Sequence, residues 1–91
     1  MEDRPIAELA RSIRIHILRM VHHAGASHAG TSLSVADILA VLYGGILRID
    51  SAQPDDPDRD RLIVSKGHGA AAVYAALAER GFFPFEWLRQ Y

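Results

Sequence analysis

Cysteine is absent from this 91-residue chain. That excludes a disulfide framework and thiolate ligation of zinc, and it fits an intracellular protein. Long apolar runs are missing too: none approaches the ~18 residues of a membrane span. The opening Met1-Glu2-Asp3-Arg4-Pro5 lacks the basic-then-apolar profile of a signal peptide. Charge of one sign is not in excess, with ten lysines and arginines against eleven acidic residues. Near-neutrality gives no electrostatic case for nucleic acid or an anionic membrane as partner. The expectation is a soluble, cytoplasmic chain. Aromatics are few, and all but Tyr43 and Tyr74 crowd into one end, as Phe82, Phe83, Phe85, Trp87 and Tyr91. Such an end is odd for a finished domain of this size, and implies that the chain continues or that a partner covers it. No internal repeat or low-complexity segment occurs.

A clear helical period is present. Ile6, Leu9, Ala10, Ile13, Ile17, Met20, Val21 and Ala24 recur at steps of three and four, which predicts a helix over residues 4–24. Asp3 can cap it, Pro5 is tolerated in its first turn, and Gly25 suits the left-handed residue at its end. Arg11, Arg14 and Arg19 read as its solvated side, and His16, His22 and His23 fall in or near its last turns. A zinc site from His22, His23 and His28 is disfavoured, because adjacent helical histidines diverge and no carboxylate completes the set. Ser34 and Asp37 form a Ser-x-x-Asp capping pattern, predicting a second helix over 35–43 that buries Val35, Ile38, Leu39 and Leu42 and ends at Gly44-Gly45. Residues 46–49 fit either an extended segment or a last helical turn.

From Asp50 to Arg61 the chain reads as a surface loop with Pro54 and Pro57. Its acidic residues lack the spacing and glycine of a calcium loop. Leu62–Ser65 suits a short buried strand. Ala70–Ala78 is strongly biased to helix, Gly81 stops it, and a further helix is expected from Pro84.

Two polar turns stand out among these elements. One is Gly25-Ala26-Ser27-His28-Ala29-Gly30-Thr31-Ser32. The other is Ser65-Lys66-Gly67-His68-Gly69, which leads directly into the alanine-rich helix. Each sets one imidazole among small residues that let a ligand approach the backbone closely. Free N–H groups at a helix start favour negative charge. Read from the residues, the pair describes an anion or phosphate-bearing ligand held between helix starts, with His28 and His68 lining the pocket.

The residues around these turns resemble the transketolase family. The stretch Ala24-Gly-Ala-Ser-His-Ala-Gly-Thr-Ser-Leu-Ser-Val-Ala-Asp-Ile-Leu resembles its first signature, usually GSGHPGGSLSxADIL. Asp58-Arg-Asp-Arg-Leu-Ile-Val-Ser-Lys-Gly-His-Gly resembles its second, DRDRFVLSKGHA. The spacing between the two fits, and the resemblance extends over nearly the whole chain. It implies an α/β fold: residues 1–91 as the N-terminal, incomplete part of a thiamine diphosphate-binding domain, mostly helical with one or two short strands. It also implies transfer of a two-carbon ketol unit from a ketose or sugar phosphate to an aldose. By the same resemblance His28 and Ser27 contact substrate, His68, Lys66, Gly67 and Gly69 face the cofactor, and His28 and His68 act catalytically. Imidazoles there would stabilise a developing alkoxide and relay protons.

The sequence departs from the family pattern at Ser27 and Thr31 (usually glycine), Ala29 (usually proline) and Gly69 (usually alanine). It contains no Gly-Asp-Gly followed by a downstream asparagine, so the ligands expected for magnesium are not in this chain. The expectation is a piece that is inactive alone and is completed by a complementary polypeptide or by the rest of the enzyme, in a dimeric assembly. The alternatives are a non-catalytic assembly module, or part of a deoxyxylulose-phosphate synthase or a ketoacid dehydrogenase.

Overall fold

The computed structural model of the chain describes residues 5–25, 29–65 and 67–90, with the side chains of His68 and Gln90 outside that description. The first period becomes helix α1 (Ile6–Ala24), which starts from Pro5 and buries Leu9, Ala10, Ile13, Ile17 and Met20. Gly25 ends it in the left-handed conformation (φ 63°), its N–H donating to the carbonyls of His22 and Val21. A side chain at this backbone angle would be strained, so glycine is the natural residue here. Ile6, at the other end of the stripe, is 42% exposed. Asp3, expected to cap α1, lies outside the described residues.

Helix α2 (Ala29–Val41) begins six residues before the start predicted at Val35. The Ser34–Asp37 capping box does not form. Ser34 instead donates its hydroxyl to the Thr31 carbonyl (2.8 Å), the back-bonding of a serine already inside a helix. Asp37 pairs with Arg14 (2.5 Å). Both side chains of that pair are well exposed, so it contributes about 0–1 kcal/mol. The buried face is also rotated from the expected one. Ser32, Ala36, Leu39 and Ala40 are buried, Val35 and Leu42 are half-buried, and Ile38 is 59% exposed. Small side chains on this face let the neighbouring helices lie close, which outweighs the burial of a larger residue. After Val41 the helix widens into a π turn (Leu42–Ile46), closed by the Leu47 N–H on the Leu42 carbonyl at 2.8 Å.

The combined helical stretch Ala29–Ile46 has a mean hydropathy of 1.4 over 18 residues, enough to cross a membrane by length and composition, with 28% of it buried. This corrects the expectation that no such stretch exists. Its interruptions are glycine, serine and threonine, which add little polarity, and Asp37 is its one charged residue.

Helix α3 (Ala70–Glu79) buries Ala71, Ala72, Ala75, Ala76 and Ala78. It ends where expected, with Gly81 at φ 82° and the Phe82 N–H reaching back to the Leu77 carbonyl (3.0 Å). One core joins the three helices around Ile13, Ile17, Leu39, Tyr43, Ala72 and Ala76, and a smaller cluster joins Met20, Ala71, Ala78 and Leu88. Side-chain proximities give the directions. A Cβ added at Gly44 would sit 3.3 Å from both Ile6 Cγ1 and Leu9 Cδ2, so α2 runs antiparallel to α1. Gly69 lies beside Val35, and Arg80 donates to the Tyr43 carbonyl, so α2 and α3 run parallel.

Leu62–Val64 is not the buried strand that its composition suggested. No strand occurs among the described residues, Ile63 is 89% exposed and Val64 is 39% exposed. A lone apolar triplet has no ladder to join unless another segment pairs with it. Before it, the polar loop is closed by a clasp: the Arg48 N–H donates to Asp60 Oδ2 (2.6 Å), and the Asp60 N–H donates to the Arg48 carbonyl (2.9 Å). Within it, Asp50 and Asp56 accept the N–H groups of Ala52 and Asp58, both at 2.9 Å. Leu47 and Ile49, left open by the sequence, are half-buried against the core.

Candidate functional site

The parallel course of α2 and α3 brings both helix starts to the same end of the molecule. Gly69 abuts Val35 on α2, six residues and roughly 9 Å of helical rise beyond Ala29. The second polar turn takes the form of a 3-10 turn (Gly67–Gly69) that feeds directly into α3. Gly69 is the N-cap of α3 (φ −91°, ψ 8°) and makes no side-chain capping hydrogen bond. Neither α2 nor α3 has an acidic residue in its first turn. The partial positive charge at the start of each helix is therefore not offset from within that turn.

Of the residues singled out in the sequence, Gly67, Gly69 and the backbone of His68 fall together in this turn. Ser27, His28, Lys66 and the His68 side chain lie outside the described residues. The backbone at the turn is open. Among the described residues a Cβ added at Gly67 would meet nothing within 4 Å, and nothing would crowd one at Gly30 near the start of α2. Gly69 is buried, and a Cβ there would reach Val35 Cγ2 only at an ordinary 3.7 Å. The alanine usual in the related signature would thus fit without displacement.

Beside the turn lies a cleft of about 290 Å³ lined by Val35, Leu39, Ile63, Val64, Ser65 and Val73, together with Gly69. Apart from Ser65 its side chains are apolar, so it suits a ring or an aliphatic group, while the adjoining helix start suits an anion. Sequence reasoning assigned Val35 and Leu39 to the core and missed their second role. The signal for it, a glycine four residues before Val73, the first side chain of α3 larger than alanine, has meaning only once α2 and α3 are known to be parallel.

Away from this end, a second polar arrangement was invisible in sequence because its members are 63 residues apart. His16 Nε2 meets Glu79 Oε2 at 2.6 Å, with the carboxylate side chain 7% exposed. The imidazole stacks on Phe85 (centroids 5.2 Å apart, rings 19° from parallel). Phe83 and Trp87 stack in turn at 5.3 Å. These contacts hold the terminal 3-10 turn (Phe85–Gln90), expected as a helix from Pro84, against α1 and α3.

Residues 6–91 match the family described as transketolase, thiamine diphosphate binding domain. Over 79 residues, 87% of the chain, it is 48% identical to the 6-deoxy-6-sulfo-D-fructose transketolase subunit of a Clostridium species, covering 29% of that protein. It is 42% identical over 94% of its length to an uncharacterized transketolase family protein of Sinorhizobium fredii, covering 31% of it. To the transketolase of Pongo abelii it is 38% identical over 87% of its length, covering 13%. The chain therefore spans less than a third of the length of these relatives.

Proposed function

The chain belongs to the transketolase family through its thiamine diphosphate-binding domain, and from that premise we propose that it is the N-terminal piece of a transketolase-like enzyme. That enzyme moves a two-carbon ketol unit from a ketose or ketose phosphate to an aldose, with thiamine diphosphate and magnesium as cofactors. The observation that carries this reading is the start of α3 at Gly67–Gly69, where the N-cap glycine has no side chain of its own to cap the helix, set at the same end of the molecule as the start of α2.

The residues present fit part of the cofactor. Open backbone at Gly67 and the start of α3 suit phosphate oxygens, Lys66 adds a cation, and the apolar cleft beside Gly69 suits a ring. The Gly-Asp-Gly pattern for magnesium is absent from this sequence, so the metal's ligands would come from the rest of the enzyme or from a complementary polypeptide. When bound, thiamine diphosphate supplies the nucleophilic carbon on which the two-carbon unit is carried. His28 and Ser27 hold substrate hydroxyls. His28 and His68 donate hydrogen bonds to oxygen atoms that gain negative charge, and move protons to and from them. In the completed domain Leu62–Val64 joins a sheet, giving the α/β fold. The assembly is dimeric and cytoplasmic, and the isolated chain is inactive.

Co-expression with a polypeptide carrying the Gly-Asp-Gly pattern, followed by a ketol-transfer assay of the purified complex, tests the reading. His28→Ala and His68→Ala should each lower kcat/KM by about 10²–10³. Wild-type turnover in both variants would overturn the assigned roles. A second reading, a non-catalytic assembly module, draws on the exposure of Phe85 (50%) and Trp87 (58%). It would give a stable complex without ketol transfer in the wild-type chain.

A further inference from the structure

On the other side of α1 from the Arg14–Asp37 pair, its C-terminal half and the terminal 3-10 turn enclose a groove of about 750 Å³. Its floor is apolar: Met20 and Leu88 are buried there, and Phe85 presents a half-exposed ring. Its rim is cationic. Arg19 and Arg89 are exposed, and among the described residues neither guanidinium has an ion-pair partner. His22 and His23 stand beside them and Glu86 opposes them. Two arginines against one glutamate leave the rim at net +1, in a chain whose formal charge is −1.

The polar groups of the rim are exposed. The enclosed one, His16, is already hydrogen-bonded to Glu79. A small ligand would therefore find no buried polar group to orient it. An apolar floor with an exposed aromatic, bordered by arginines, matches the anatomy of a protein docking surface instead. We propose that this groove docks an acidic peptide segment of a partner protein, with an aromatic or aliphatic anchor seated on Met20, Phe85 and Leu88 and carboxylates facing Arg19 and Arg89. The assignment rests on charge complementarity at the rim and is independent of the enzyme reading.

The purified full chain provides its own reporter. Trp87 is the single tryptophan and lies on the turn that forms one wall. The probe is a synthetic twelve-residue peptide with phenylalanine and leucine set among aspartates and glutamates. The control replaces each acidic residue by its amide. Titration followed by Trp87 emission and peptide anisotropy should show saturable binding that weakens about tenfold when salt rises from about 50 to 500 mM. The amide peptide should bind at least about tenfold more weakly. The double variant Arg19→Glu with Arg89→Glu should lose binding while keeping its far-ultraviolet circular dichroism, since both side chains are exposed; Arg19→Gln with Arg89→Gln should fall between.

Absence of saturable binding would overturn the proposal, as would equal affinity for the amide peptide. Binding unchanged in both double variants would overturn the location. Sedimentation showing a dimer that the peptide cannot displace would assign the groove to a second copy of the chain and likewise overturn it.

Discussion

Two glycines show how different the same residue can be in its surroundings. At Gly69 an added methyl reaches only ordinary contact with Val35, and the backbone angle is one that any residue adopts. Gly69→Ala should therefore raise stability by about 0.4–1 kcal/mol, by restricting the unfolded chain. At Gly44 the added Cβ lies 3.3 Å from Ile6 and Leu9, and Leu9 is buried in the core. Gly44→Val should cost about 1–3 kcal/mol through overpacking. Urea unfolding of the two variants checks the pair; similar midpoints would contradict the packing described at both sites.

Tyr43 offers a test by pH. Burial raises its phenol above the ordinary 10.0, and the Arg80 charge lowers it by less. The neutral phenol is thus favoured in the folded chain. That contribution to stability is complete below pH 10.0 and is lost as pH rises through the higher folded value. Alkaline unfolding followed by phenolate absorbance should show this loss, and Tyr43→Phe should remove it.

At the scale of elements, the helices were largely legible and their edges were not. The period of α1 and the alanine bias of α3 were written locally, and both helices form with the ends expected at Gly25 and Gly81. The start of α2 was misread because Ser34 and Asp37 satisfy a local capping rule. The folded chain overrides that rule by burying Ser32 and Ala36 against its neighbours. The reading of Leu62–Val64 failed differently. Composition tells that a segment tends to pair, but not whether a partner is within reach. The site was half legible: glycine and histidine spacing marked the turn before α3, whereas the cleft beside it depends on α2 and α3 running parallel. Ile63→Lys separates local from assembled roles. With the side chain 89% exposed, stability of the isolated chain should change by less than about 0.5 kcal/mol. Association with a complementary polypeptide, measured by pull-down or sedimentation, should weaken at least about tenfold if that segment is covered on assembly. Unchanged association would show that the partner packs elsewhere.

At the scale of the molecule, α2 is apolar on nearly every side yet only partly covered, and the aromatic turn 85–90 leaves Trp87 58% exposed. Helices apolar all round belong in interiors, in keeping with a chain that spans under a third of its relatives. On the function proposed above the site would divide in the same way, with backbone for phosphate here and the metal's ligands outside this sequence. Calorimetry of the isolated chain with thiamine diphosphate and magnesium should accordingly detect no micromolar binding. A Kd in the micromolar range would show the half-site to be sufficient.

The clasp between Arg48 and Asp60 bears on how such a chain tolerates change in length. Two backbone positions are fastened to each other, so the residues between them form a closed eyelet whose size is decoupled from the spacing of α2 and α3. Doubling that eyelet costs only about 0.6 kcal/mol of closure entropy. Pro54–Pro57 is thus a place to splice in an affinity handle or a fluorescent reporter without moving either helix start.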